Sequence, residues 1–147
     1  MAYKKPEEVN TLIDPAEITI PVMLLDITKS INNYLKTHPG EELTTAHVLA
    51  YTQRAWKLDP DRANKAELIL ALCKASDKHR KVVGVFTLSR EGKDKFIKSP
   101  WGDADYRYVF LGEPADESVW NEYIGLLLPP AKQGEANPVR YYEPTDN

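Results

Sequence analysis

A short segment of the chain combines the side chains that a flat, negatively charged ligand needs. In "RAWK", an arginine, a tryptophan and a lysine follow closely on one another at Arg54, Trp56 and Lys57. A nucleobase that stacks on an aromatic ring gains roughly 1–3 kcal/mol, and guanidinium and ammonium groups pair with phosphate. We therefore expect a binding site for a nucleic acid or a nucleotide-like anion. The predicted ligand-binding residues are Lys29, Arg54, Trp56, Lys57, Trp101 and Arg107.

The tryptophans also have purely structural interpretations. Trp56 can fill the gap between a helix and a sheet while Arg54 and Lys57 are solvated, because neighbours on a helix point about 100° apart. Trp101 lies in a basic loop, where it can pack as a lid or face a ligand. Both interpretations remain open for these two residues. Trp120 lies on the apolar side of a predicted helix, and we expect it in the core.

Catalytic and metal-binding motifs are absent from the sequence. There is no P-loop, no Gly-x-Gly-x-x-Gly after a strand and no Gly-x-Ser-x-Gly elbow. His38, His47 and His79 are far apart and lack the spacing of metal ligands. Cys73 is the single cysteine, and its apolar surroundings indicate a buried, unreactive thiol. We predict no catalytic residue, no metal and no cofactor, and a binding protein is favoured over an enzyme.

Charge is distributed unevenly along the chain. The formal net charge is −3, which excludes strong non-specific attraction to nucleic acid by the whole molecule. However, residues 74–98 hold eight basic and three acidic side chains, whereas residues 99–147 hold three basic and nine acidic ones. The basic region can therefore still meet an anion. No segment is apolar enough for a signal peptide or a membrane span, so we expect a cytoplasmic protein without membrane contact.

The first half of the chain predicts one strand and two helices after a polar arm. Residues 1–21 contain three prolines and six charged side chains, and we expect a loose arm with one turn after Asp14. The apolar run that begins at Val22 predicts a strand over 21–31. Apolar residues at helical spacing predict a helix over 42–56. The Asp-Pro pair at 59–60 predicts the start of a short helix over 60–66.

The second half predicts three strands and a helix. Gly84 interrupts an apolar strand, which indicates a bulge or a close approach of another group. Pro129 and Pro130 are expected to end the last helix. The predicted elements are strands at 67–75, 80–90 and 105–114, a helix at 115–130 and an extended piece at 139–142.

The resulting order, β-α-α-β-β-β-α, favours an α+β fold. We expect a small, strongly curved and mainly antiparallel sheet or partial β-barrel with helices outside it. Residues 22–142 form the single predicted domain, and residues 143–147 form a short tail.

Three segments of the sequence are similar to those of PUA-like domains, including the EVE and ASCH groups. The segments are "RAWKLDPDRANKAELILALC", "KVVGVFTLSR" and "RYVFLGEPA", with a tryptophan-containing loop between the last two. The pattern, with its "NPVRY" tail, also resembles a group of uncharacterised bacterial proteins. The PUA-like resemblance implies a domain that binds RNA or DNA, often around a modified or flipped base. Some ASCH domains are hydrolases, but no catalytic signature accompanies the resemblance here.

These observations predict a non-catalytic binding module. A base would stack on Trp56 or Trp101, and lysine and arginine side chains would meet phosphate. The first alternative is a small interaction or inhibitor protein, for example one related to phage or defence, that docks onto another protein. The second alternative is an ASCH-like hydrolase. A concave pocket that holds both a tryptophan and cations would favour ligand binding over a protein partner.

Overall fold

The structure is a computed structural model of the 147-residue chain. It describes residues 3–14, 17–53, 56–57, 59–88, 97–98, 107–129, 139–142 and 144. At Lys57, Pro60, Arg107 and residues 97–98 the description covers the backbone.

The described residues form four α-helices and nine short or medium strands. The helices are α1 (Thr28–Thr37), α2 (Thr45–Thr52), α3 (Pro60–Ala63) and α4 (Glu117–Tyr123). The strands are β1 (Val22–Asp26), β2 (Trp56–Lys57), β3 (Leu68–Ser76), β4 (His79–Leu88), β5 (Ile97–Lys98), β6 (Arg107–Val109), β7 (Gly112–Pro114), β8 (Leu127–Leu128) and β9 (Val139–Tyr142).

The main sheet has the order β7-β4-β3-β1-β9, and β8 pairs with the beginning of β4. Strands β1 and β3 are parallel, and the other pairings in this sheet are antiparallel. Among the described residues the sheet is mixed and open, ending at β7 and β9. A second sheet has the order β2-β6-β5. The α+β prediction is therefore confirmed at the level of class.

Two continuous apolar runs form the centre of the core. Val22–Leu25 in β1 and Leu68–Leu72 in β3 are buried over their whole length. Side chains of a strand alternate between the two faces, so a strand buried throughout is covered on both sides. Helix α1 contributes Ile31 and Tyr34 to this packing.

The predicted first strand is too long. It ends at Asp26 instead of residue 31, and α1 begins at Thr28. The Asp26 carboxylate accepts hydrogen bonds from the backbone N–H and the hydroxyl of Thr28, which turns the chain into the helix. The polar sequence after Asp26 carries only a weak apolar pattern, so the helix was missed.

The predicted helix over 42–56 is also corrected. Helix α2 begins after Thr44, whose side chain accepts the His47 backbone N–H while the His47 ring accepts the Thr44 N–H. This capping box fixes the start of the helix. The helix ends at Thr52, and Trp56 belongs to the short strand β2.

The hairpin of β3 and β4 confirms the prediction for this part of the chain. Its register shifts between Ala71, opposite Gly84, and Leu72, opposite Val82, so β4 has a bulge next to Gly84. A Cβ atom at Gly84 would lie 2.6 Å from the Phe86 ring and 3.0 Å from Val48. Glycine therefore allows α2 and Phe86 to pack closely on the strand.

The predicted strand over 105–114 is two strands in two different sheets. Strand β6 pairs with β2 and β5, whereas β7 pairs with β4. Gln53, at the end of α2, binds the chain between β6 and β7. Its carbonyl accepts the Phe110 N–H, and its side-chain oxygen accepts the Gly112 N–H. Phe110 is buried, and its packing fixes the chain at the point where it passes from β6 to β7.

The last helix is shorter than predicted. Helix α4 ends at Tyr123, and Gly125 follows with φ = 78°, a conformation that favours glycine. Leu127–Leu128 then pair with β4, so the chain leaves the helix before the two prolines. Trp120 is buried in the core, as predicted.

The N-terminal segment packs on the fold instead of forming a loose arm. Lys4 binds α4 through two hydrogen bonds, from its N–H to Asn121 Oδ1 and from Trp120 Nε1 to its carbonyl. Leu12 forms a parallel bridge with Leu127, and Ile18 is part of the core. The predicted turn after Asp14 has a hydrogen bond from the Glu17 N–H to the Asp14 carbonyl.

Candidate anion-binding site at the end of the parallel strands

Two of the six predicted ligand-binding residues have described side chains. Lys29 is exposed in the first turn of α1, immediately after the end of β1. Trp56 is half-buried against the core, and its indole N–H donates to the carbonyl of Thr52 at 2.7 Å. The ring therefore closes the end of α2 and retains an exposed part.

Lys57 and Arg107 occupy neighbouring positions in the three-stranded sheet. The register of β2 and β6 places Lys57 opposite Arg107 and Trp56 opposite Tyr108. The backbone thus brings three of the predicted positions together. The predictions for Arg54 and Trp101 fall outside the described residues.

Lys29 lies at the other end of the main sheet. The chain enters β7 soon after Arg107, and β7 pairs with Phe86–Leu88 at the end of β4. Phe86 lies opposite Ile69, near the start of β3. Lys29, in contrast, follows Thr28, which contacts the end of β3. Ile69 and Lys74 are five residues apart, about 17 Å along β3, so Lys29 lies beside the opposite end of this strand from the one that β7 approaches.

A polar cluster lies where the parallel strands β1 and β3 end, and Lys29 is exposed on the helix turn beside it. We call it the carboxyl-end cluster. Thr28 connects its parts, because its hydroxyl donates to Asp26 and its oxygen accepts the Lys74 backbone N–H at 2.9 Å. The members of the cluster are Asp26, Thr28, Lys29, Lys74, Asp77, Lys78 and Arg80.

Arg80 is held in place by three hydrogen bonds. Its Nε donates to Asp26 Oδ2 at 3.1 Å, and its Nη1 donates to the carbonyls of Ser76 and His79 at 3.2 and 3.3 Å. The side chains of Arg80 and Asp26 are 20% and 27% exposed. The Nη2 group has no protein partner among the described residues. A guanidinium fixed in this way can offer that group to an anion without a large loss of side-chain entropy.

The lysines of the cluster are exposed. Lys74 forms an ion pair with Asp77, 2.9 Å between Nζ and Oδ1, and this hydrogen bond lowers the pKa of the Asp77 carboxyl. Lys78 is exposed in the hairpin turn. Four basic groups face two carboxylates, so the cluster carries a formal charge of +2. Exposed lysines beside a fixed arginine are suited to bind phosphate.

Cys73 borders the cluster and is half-buried, whereas we predicted a buried side chain. It follows the buried run of β3 at the point where the strand leaves the core. Burial raises the pKa of the Cys73 thiol. The group is thus mainly a thiol at neutral pH, which disfavours a nucleophilic role.

Sequence reasoning found Lys29 and missed the other members of the cluster. The sequence indicated only that residues 74–98 are basic, and this composition does not identify which side chains come together. Among the described residues, no group of three histidine, cysteine or carboxylate side chains is arranged to hold a metal ion. None of the described helices combines the length and apolar composition needed to cross a bilayer.

Comparisons with protein-family models, with curated proteins and with solved structures found no match to this chain.

Proposed function

We propose that the protein is a non-catalytic binding module for nucleic acid and that the carboxyl-end cluster meets its phosphate groups. The observation that carries the proposal is the position of Arg80. Asp26 and two backbone carbonyls hold its guanidinium, and the exposed Lys29, Lys74 and Lys78 are on the segments around it. Such a site offers an anion one guanidinium that needs little rearrangement, with exposed ammonium groups on the neighbouring segments.

The distance between the two basic regions favours a strand of nucleic acid over a free nucleotide. The Ile69 end of β3, beside the strand β7 that follows Arg107, lies about 17 Å along the strand from Lys74 of the cluster, which is more than one nucleotide spans. A single strand of several nucleotides can reach from one region to the other. In this proposal, phosphates bind the cluster and a base stacks on the exposed part of Trp56.

The PUA-like resemblance is part of the same proposal. In this proposal the chain is related to PUA-like domains, which bind RNA or DNA. The mixed, open sheet of the described residues agrees with this relationship at the level of the α+β class alone. The raised pKa of Cys73 gives no support to the hydrolase alternative.

A binding measurement tests the proposal. Fluorescence anisotropy of a labelled single-stranded RNA or DNA of about ten nucleotides would follow its binding at about 50 mM salt. We expect competition by the unlabelled strand and weak competition by a mononucleotide. The double variant Lys74→Gln, Lys78→Gln should weaken binding at least about tenfold, since two phosphate contacts are lost.

The matched control is the double variant Lys36→Gln, Lys65→Gln. It removes the same charge from two lysines that are exposed and lie outside the cluster. An equal loss of affinity in both double variants would show attraction by overall charge and contradict the proposal. The absence of binding to either nucleic acid at low salt would also overturn it.

A further inference from the structure

A cleft lies between the N-terminal segment and the beginning of α2, away from the carboxyl-end cluster. Its volume is about 510 Å³, which is within the range of sites for small molecules. Val48, Val83 and Trp120 form an apolar floor, and Leu43 lines one side. The apolar floor can accept an aromatic or branched aliphatic group.

The wall formed by residues 3–7 is fixed in place. Lys4 is held by hydrogen bonds with Asn121 and Trp120 at 2.8 and 2.9 Å, and Tyr3 packs edge-on against the Trp120 ring. Lys81 donates to the carbonyl of Pro6 and thereby joins this wall to β4. The cleft therefore exists before a ligand arrives.

The rim of the cleft carries equal numbers of opposite charges. Lys4 and Lys5 face Glu7 and Glu42, so the rim has no net charge. Lys5 Nζ lies 3.9 Å from Glu42 Oε1, longer than a charge-assisted hydrogen bond, and the two side chains are 63% and 79% exposed. This ion pair is weak and easily separated.

We propose that the cleft binds a small zwitterion with an apolar side chain, of the size of an amino acid or a dipeptide. The ligand carboxylate replaces Glu42 as the partner of Lys5, and its ammonium group pairs with Glu7. The apolar side chain lies on Val48, Val83 and Trp120. A net-neutral rim complements a zwitterion better than a simple cation or anion, since each single charge would meet one like charge for each opposite charge.

Four probes with the same aromatic body separate the charge requirements. They are L-phenylalanine, the dipeptide Leu-Phe, phenethylamine and 3-phenylpropionate. Titrations followed by NMR should show shifts of the Trp120 indole N–H and of the Val48 and Val83 amides. We expect the dipeptide or phenylalanine to bind up to about fivefold more tightly than either singly charged probe, the upper factor for one exposed ion pair.

Charge variants test the rim. Glu7→Gln and Lys5→Gln should each weaken dipeptide binding by up to about fivefold. Glu8→Gln is the matched control, because Glu8 is exposed in the same turn as Glu7 and does not line the cleft. Equal binding of 3-phenylpropionate and the dipeptide would overturn the proposal, as would shifts that fall outside the cleft. No binding by any of the four probes would also overturn it.

Discussion

Arg80 of β4 reaches across β3 to Asp26 of β1, with 3.1 Å between Nε and Oδ2. The contact lies at the end of the sheet where the chain turns from β1 into α1. Asp26 also accepts the Thr28 N–H, so one carboxylate holds the helix start and the guanidinium together. The integrity of the carboxyl-end cluster therefore depends on this pair.

Arg80→Ala should destabilise the fold by about 1.5–3 kcal/mol, the usual contribution of a hydrogen bond to a charged group. Arg80→Lys should recover little, because an ammonium cannot reproduce the fork of Nε and Nη1 donors. Urea unfolding measures both changes. Lys78→Ala is the control, since Lys78 is exposed in the same hairpin and should change stability by less than about 0.5 kcal/mol. Equal effects at positions 78 and 80 would contradict this prediction.

Two glycines with similar backbone conformations differ in their surroundings. Gly40 has φ = 84°, and a Cβ added there would meet no atom of the described residues within 4 Å, whereas a Cβ at Gly125 would lie 2.5 Å from Val9 Cβ. Gly40→Ala should cost roughly 1–2 kcal/mol through backbone strain alone. Gly125→Ala should cost a further 1–3 kcal/mol or so, because the N-terminal segment must move.

Deletion of residues 1–10 provides the control for Gly125. The deletion removes Val9, so the additional cost of Gly125→Ala should disappear in the shortened chain, as measured by urea unfolding. If the two glycine substitutions cost the same in the full chain, the packing of the N-terminal segment on Gly125 is wrong.

Much of the fold follows from local sequence patterns. The apolar runs of β1 and β3 are buried on both faces, and this signal was sufficient to predict both strands. Helix α1 was missed because only Ile31 and Tyr34 of its ten residues are buried. The separation of β6 from β7 depends on hydrogen bonds with Gln53, more than fifty residues earlier, and no local pattern reports such a contact.

Of the residues in the carboxyl-end cluster, the sequence predicted only Lys29 as a ligand contact. Lys29 follows the apolar run of β1, which suggested a strand end. Lys74 and Arg80 join it only because β1 and β3 are parallel and in register from Val22–Leu68 to Asp26–Leu72. Parallel pairing of strands far apart in the chain is a property of the tertiary structure, so composition alone indicated a basic region without its geometry.

Cys73 should react slowly with a thiol reagent at neutral pH, and the midpoint of its rate against pH should lie above that of a free thiol. Burial is the largest influence on this pKa and raises it. The rate of labelling by a thiol reagent, followed against pH, measures the midpoint. Because the folded-state pKa is raised, the stabilising contribution of this thiol is present below its unfolded pKa and is lost as pH rises through the folded value. A midpoint below that of a free thiol would contradict the prediction.

Trp56→Phe should destabilise the fold by about 0.5–1.5 kcal/mol, because the Thr52 carbonyl loses its indole donor. Trp56→Ala should cost more, but less than the roughly 3–5 kcal/mol typical of a fully buried tryptophan, since this ring is half-buried. Thermal or urea unfolding distinguishes the two. If Trp56→Phe has no effect on stability, the hydrogen bond from the indole to the end of α2 does not contribute to the free energy of unfolding.

Salt dependence gives the most direct test of Lys29 as a phosphate contact. For a single-stranded nucleic acid, the slope of log K against log salt is about −0.7 per phosphate neutralised. Lys29→Gln should therefore make the slope shallower by about 0.7. Lys36→Gln is a closely matched control, because both lysines are exposed on α1. They are seven residues and about 10 Å apart along the helix axis, and Lys36 lies in the last turn. The Lys36→Gln substitution should leave the slope unchanged. Anisotropy titrations between about 50 and 200 mM salt would measure both. Identical slopes for the two variants would show that Lys29 does not contact phosphate, and binding would then have to be assigned to other basic side chains.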